Sequence, residues 1–105
     1  MQEKTVEELK KMMDRQVDFQ LIDVREPHEV DICSIGGELI PMGEIPDSVD
    51  KIVRDKPVVI YCRSGMRSGK MCSFLAENFG FTNLYNLQGG ILAWADRIDD
   101  SLEKY

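Results

Sequence analysis

A cysteine between a buried run and two arginines is where this chain could do covalent chemistry. The apolar stretch Pro57-Val58-Val59-Ile60-Tyr61 ends in Cys62, and Arg63-Ser64-Gly65-Met66-Arg67-Ser68-Gly69 follows. A helical pattern of apolar residues then begins. That order predicts a thiol at the carboxyl edge of a strand and the amino end of a helix. Unpaired N–H groups and the positive end of the helix dipole favour a sulfur anion there. Guanidinium groups at Arg63 and Arg67 add positive charge nearby. A free thiol titrates near ~8.5 and is lowered by such surroundings, which makes Cys62 a candidate nucleophile. Cysteine also packs as a small hydrophobe at strand ends. Packing alone asks for neither arginine, so chemistry is the stronger reading.

Spacing narrows the chemistry. Phosphatases that use a cysteine close a ring of the form Cys, five residues, Arg around a phosphate. Here Arg67 comes one position earlier and Ser68 occupies the sixth place after Cys62. A shorter loop makes a tighter cradle, which suits one extra sulfur on Cys62 better than a tetrahedral phosphate. Cys62-Arg63-Ser64-Gly65-Met66-Arg67 resembles the active-site loop of the rhodanese family of sulfurtransferases. Two further segments carry the resemblance over nearly the whole chain. Leu21-Ile22-Asp23-Val24-Arg25-Glu26-Pro27-His28-Glu29 looks like the family's Asp-x-Arg-x-x-x-Glu signature, and Gln88-Gly89-Gly90-Ile91-Leu92-Ala93-Trp94 like its closing Gly-Gly-x-x-x-Trp segment. Ser34-Ile35-Gly36-Gly37-Glu38-Leu39-Ile40-Pro41 departs from the common Gly-His-Ile-Pro-Gly-Ala stretch. It resembles the variant in rhodanese domains fused behind adenylyltransferases of molybdopterin and thiamin biosynthesis.

The resemblance implies a two-step transfer. The Cys62 thiolate takes a sulfur from thiosulfate or another persulfide and becomes a persulfide, which Arg63, Ser64, Gly65, Met66, Arg67 and Ser68 surround. Backbone N–H groups of that loop hold the terminal sulfur as an oxyanion hole holds oxygen. Arg63 and Arg67 draw in the anionic donor, Ser68 doubles as the helix N-cap, and Met66 faces the pocket mouth. Cyanide, a thiol or an activated protein carboxyl terminus then accepts the sulfur. The implied partners are a small anionic sulfur donor and a sulfur-carrier protein or a fused or associated adenylyltransferase. No metal or organic cofactor is implied. Two other classes compete: a cysteine-dependent phosphatase or arsenate reductase, disfavoured by the short loop, and a non-catalytic interaction domain, disfavoured by the intact nucleophile and arginines.

Composition agrees. A length of 105 residues suits one domain over 1–105 with a single core, and 43% apolar with 30% charged residues reads as globular. No apolar run approaches the ~20 residues of a membrane span, and Met1 leads into charged Glu3 and Lys4 rather than a signal peptide. A net charge of −6 argues against nucleic acid as a partner. Cys33, Cys62 and Cys72 form no C-x-x-C pair, so neither a disulfide framework nor a zinc site is indicated. A reducing cytoplasm is the expected compartment.

The elements that must position Cys62 alternate between strand and helix, the signature of a parallel sheet wrapped by helices. With the resemblance, the fold class is α/β, rhodanese-like: a central parallel sheet of about five short strands, with helices on both faces. Thr5 with Glu8 forms a capping box opening a helix that buries Val6, Leu9 and Met12 or Met13. Strands are expected at 19–23, 39–40, 57–61 and 83–87, with a short helical turn from Pro27. Further helices are expected from Ile45 through Val53, from Ser68 to Gly80 and from Ile91 to Ile98, and the tail from Asp99 is expected to fray.

Ligands sit beyond the carboxyl ends of such strands, where Asp23 and Arg25 also lie. Asp23 is read first as an anchor of the turn after its strand, and Arg25 as a partner of Glu29. His28 is read as a surface residue, because a persulfide mechanism needs no general base. Cys72 and Trp94 are read as core. Cys33, in a loop-like stretch, is read as a spectator rather than a resolving thiol.

Overall fold

Period-two alternation along one strand decides which way the loop after Cys62 faces. The computed structural model describes residues 1–105. Its central strand, β4 (Val58–Tyr61), is buried throughout. Val58, Ile60 and Cys62 project into one core cluster, whereas Val59 and Tyr61 project into another. Each cluster lies under its own layer of helices.

The other strands are β1 (Glu3–Lys4), β2 (Gln20–Asp23), β3 (Glu38–Leu39) and β5 (Leu84–Leu87). They form one five-stranded sheet in the order β1-β5-β4-β2-β3. Every adjacent pair is parallel. Crossovers between parallel strands put helices on the faces of such a sheet. On one face, α1 (Val6–Asp14) and α4 (Gly90–Arg97) bury Val6, Leu9, Ile91 and Trp94 against Val59, Tyr61 and Leu87. On the other, α3 (Met66–Phe79) buries Cys72 and Leu75 against Ile22, Val58 and Ile60. The remaining helix, α2 (Pro27–Ile32), follows β2 and carries Glu29 inward.

Local signals explain several boundaries. Thr5 and Glu8 make the reciprocal capping box, and Gly80 ends α3 in a left-handed conformation. The expected helix from Ile45 through Val53 does not form. Pro46 has no N–H to give the ladder, and the segment folds as two 3-10 turns, Met42–Asp47 and Val49–Lys51. Strand β1 was not anticipated. Two residues carry too little pattern, and it exists only because Glu3 and Lys4 align beside Asn86 and Leu87. The tail also departs from expectation. Leu102 and Tyr105 pack against the α1/α4 core, so the last residues are tied down rather than frayed. No helix of the structure is long and apolar enough to cross a membrane.

Candidate functional site

Cys62 sits one residue beyond the end of β4 and is 1% exposed. The chain turns sharply after it because Gly65 adopts φ +100°, a conformation that L side chains rarely tolerate. That turn lets α3 begin at Met66, so its first N–H groups point back at the sulfur. Cys62 Sγ lies 3.1 Å from Gly65 N and 3.5 Å from Ser68 N. The Ser68 hydroxyl oxygen is 3.3 Å from the same sulfur. Burial pushes the Cys62 thiol up, but the Ser68 hydroxyl and the N–H groups of Ser68, Gly65 and Ser64 outweigh it and hold the thiol below its ordinary value. Ser68 is therefore not the N-cap of the helix. Gly65 takes that place, and Ser68, three residues further on, turns its hydroxyl inward.

A second corner clamps the outer side of the loop. Ile91 N donates to Cys62 O at 3.0 Å and Leu92 N to Arg63 O at 3.1 Å. Asn86, on β5, reaches across with both ends of its amide. Its Nδ2 donates to Gly65 O at 3.0 Å, and its Oδ1 lies 2.5 Å from the Ser68 hydroxyl. Neither Asn86 nor this clamp was singled out from the sequence. The only signal was an amide in an otherwise apolar strand two residues before Gln88-Gly89-Gly90.

The arginines do not both face the sulfur. Arg67 forms a two-pronged pair with Glu29, at 2.7 and 2.8 Å. That pair pulls the Glu29 carboxyl down to about 2, against the upward push of burial. Arg63 turns outward, and its Nε and Nη2 both donate to the main-chain oxygen of Tyr105. The Tyr105 hydroxyl donates to Glu29 at 2.9 Å and accepts from Arg25 at 3.1 Å. Tyr105 thus joins three charged residues at the rim, which is why the tail does not fray. The sequence offered no sign of this, because the contacts span from 42 to 80 positions.

Asp23 and Arg25 are buried together. The Asp23 carboxylate accepts from Arg25 Nε and Nη2 at 2.8–3.2 Å, and from the Arg25 backbone N–H at 3.0 Å. The remaining guanidinium N–H groups reach Glu29 O, Cys33 O and the Tyr105 hydroxyl. The expected anchoring role of Asp23 is what the geometry displays. The expected Arg25–Glu29 ion pair is not: Arg25 meets only the main-chain oxygen of Glu29, whose carboxylate belongs to Arg67. A fully buried guanidinium needs a carboxylate at its own depth, and Asp23 is the one there.

Cys72 is core, as expected, and burial pushes its thiol up to about 12. Cys33 is half-buried at the end of α2, and all three cysteines are free. His28 is exposed on α2. Ser64 is exposed at the loop's crest, and Met66 is 71% exposed. Met66 borders an open groove of about 630 Å³ that also touches Met1, Gly65, Lys70, Phe74 and Asn86.

The family described as "Rhodanese-like domain" matches residues 5–97. A protein named sulfurtransferase from Allochromatium vinosum is 44% identical over 79 residues, covering 74% of this chain and 73% of that one. The probable adenylyltransferase/sulfurtransferase MoeZ of Mycobacterium tuberculosis is 36% identical over 96% of this chain, which spans 26% of MoeZ. The crystal structure of a rhodanese-like domain protein from Staphylococcus aureus superposes with a TM-score of 0.82 at 31% identity, covering 100% of this chain and 99% of that one.

Proposed function

Because the chain belongs to the rhodanese-like domain family, we propose that it is a sulfurtransferase carrying sulfane sulfur as a persulfide on Cys62. The observation that supports this most is the cup around Cys62 Sγ, made by Gly65 N–H, Ser68 N–H and the Ser68 hydroxyl. In the first step the thiolate attacks the outer sulfur of thiosulfate or of a persulfide. The donor's S–S bond breaks, sulfite or a thiolate leaves with the electron pair, and Cys62 gains one sulfur bearing the negative charge. Loop N–H groups at the positive end of a 14-residue helix receive that charge. In the second step cyanide or a thiolate attacks the terminal sulfur, and Cys62 leaves as the thiolate it began as.

The rim suits an anionic donor despite the acidic body. Arg25, Arg63 and Arg67 against Asp23 and Glu29 leave one net positive charge beside the loop. Arg67 stays partly exposed there, and Arg63 needs only to release a main-chain oxygen to meet a donor. Residues 1–105 serve this chemistry as one domain. The free thiols suit a reducing compartment such as the cytoplasm.

The test is direct. Incubation with thiosulfate adds one sulfur mass to the protein, cyanide removes it as thiocyanate, and Cys62→Ser abolishes both while Cys33→Ser and Cys72→Ser keep them. Thiocyanate formation by Cys62→Ser would refute the mechanism. Turnover of an aryl phosphate that depends on Cys62 would instead favour the phosphatase reading.

A finer reading concerns the acceptor. MoeZ joins an adenylyltransferase and a sulfurtransferase in its name, and this chain is similar to part of it. We infer a sulfur-carrier protein, adenylated at its carboxyl terminus, as an acceptor alongside small thiols. The open groove beside Met66 has room for an extended tail. Persulfidated protein offered an adenylated carrier should displace AMP to give an acyl disulfide on Cys62, which added dithiothreitol cleaves, reducing the S–S bond, to the carrier thiocarboxylate seen by mass. Transfer to small thiols alone would discard the carrier and leave the sulfurtransferase reading intact.

A further inference from the structure

We propose that Asn86 is a positioning residue that controls Cys62 by competing with it for the one proton of the Ser68 hydroxyl. The orientation of the Asn86 amide is not free. Gly65 O is an acceptor only, so the amide end 3.0 Å from it must be the NH2 group. Oδ1 therefore faces Ser68, and an oxygen–oxygen distance of 2.5 Å requires a proton between them. Asn86 Oδ1 has none, so the Ser68 hydroxyl proton lies on that line. Ser68 Oγ is also 3.3 Å from Cys62 Sγ and has no second proton to offer. The Cys62 thiol proton fills that contact, giving a chain from S–H to Oγ–H to Oδ1.

All three members are sealed from solvent: Cys62 is 1% exposed, Ser68 0% and Asn86 5%. A lost hydrogen bond in this chain cannot be made good by water. When Cys62 ionises, its proton leaves to solvent and the Ser68 hydroxyl must swing to the sulfur. Asn86 Oδ1 is then left without a donor. Asn86 thus favours the neutral thiol over the thiolate and opposes the pull of the loop N–H groups. Once the sulfur is transferred, the charge sits on the terminal atom and Ser68 can return to Asn86. The residue so placed limits how far the thiolate is stabilised, which preserves its strength as a nucleophile.

The loop sequence is built around this amide. A Cβ on Gly69 would stand 3.2 Å from Asn86 Nδ2, and one on Gly65 3.7 Å from it. Gly69 leaves the room that the amide takes, whereas Gly65 would meet it only at ordinary contact distance and is required by its φ of +100°. The proposal rests on Cys62 being the nucleophile of the sulfur transfer, but its test needs no sulfur donor.

The test is the pH dependence of Cys62 alkylation by iodoacetamide, read by peptide mass in the full chain. Asn86→Leu keeps the volume and removes both polar ends. The freed Ser68 hydroxyl should then bond the sulfur, move the midpoint to lower pH, and raise alkylation below the midpoint about threefold. In a Ser68→Ala background the same Asn86→Leu change should leave the midpoint where Ser68→Ala alone puts it. The charged and titratable groups around Cys62 are Arg67 and Cys72 on α3, Glu29 on α2, Arg63 in the loop and Tyr105 at the rim. All stay constant across these variants. A midpoint that rises or stays put in Asn86→Leu would overturn the proposal, since a merely loosened loop loses N–H donors and raises it. So would a shift that persists without Ser68. Should Asn86→Leu not fold, Asn86→Ala should show the same sign and the same dependence on Ser68. Failure of sulfur transfer with these shifts intact would count against the sulfurtransferase reading alone.

Discussion

Two corners of this molecule are built alike and spend their hydrogen bonds differently. In each, a parallel strand runs through a short loop and a left-handed glycine into a helix: β4 through Gly65 into α3, and β5 through Gly89 into α4. Both helix starts expose N–H groups that the helix itself cannot satisfy. At α4 they are consumed by protein, because Ile91 N and Leu92 N bind the carbonyls of Cys62 and Arg63. At α3 they converge on a sulfur atom. The first corner is a clamp and the second a cup, and the clamp is what keeps the cup's shape. A helix start is thus no site in itself. What matters is whether neighbouring backbone has already taken its donors.

The comparison breaks most severely at Gly90. A Cβ there would stand 2.4 Å from Arg63 O and 2.6 Å from Cys62 O, and both are backbone atoms that cannot step aside. Gly90 also has φ +60°. Gly90→Ala should therefore cost about 3 kcal/mol or more in urea unfolding, with Cys62 alkylation altered in whatever folds. An unchanged denaturation midpoint would mean that the clamp is slack.

Next comes Glu29, which holds Arg67 beside the cup. Its carboxyl is at about 2 when folded against an ordinary value of 4.5, so its stabilisation is complete above 4.5. It is lost as pH falls from there through 2. Glu29→Gln should cost about 2 kcal/mol at neutral pH, discounted for the solvent that reaches Arg67. The gap between wild type and variant should close progressively in acid, as measured by melts across that window. A gap independent of pH would assign the loss to packing instead.

Ser68→Ala sharpens the cup alone. Removing the hydroxyl takes a donor from the Cys62 thiolate, so the alkylation midpoint should rise and the rate at mildly acidic pH fall about tenfold. Global stability should fall by about 1–3 kcal/mol as well, because buried Asn86 Oδ1 loses its donor.

Thr5→Ala supplies the control, because α1 begins with a capping box and no glycine or sulfur. It should cost about 1 kcal/mol in thermal unfolding and leave Cys62 alkylation untouched. A change in alkylation would show that the cup senses stability in general rather than its own corner.

Much of this was legible along the chain, for local reasons. The apolar run ending in Cys62, the capping box at Thr5 and the glycine stop at Gly80 each act within a few residues, so pattern reveals them. The loop from Cys62 to Ser68 was legible because strand, glycine and helix follow one another directly. Elsewhere one local signal was outweighed by a stronger one close by in the chain. Residues 45–53 have apolar spacing suited to a helix, but Pro46 within the segment leaves only 3-10 turns. Ser68 reads as a cap because the apolar helical pattern begins after it, but Gly65, three places earlier, already starts the helix.

The sequence by itself determined that a thiol would stand at a strand-to-helix corner, since a strand, a glycine loop and a helical pattern follow one another in the chain. Only the tertiary structure decided who shares that corner. Glu29 takes Arg67, Asp23 takes Arg25, Tyr105 takes Arg63, and Asn86 reaches Ser68 from a neighbouring strand. A buried donor accepts whichever acceptor the packing brings to its depth, and that depends on the whole fold rather than on spacing in the chain.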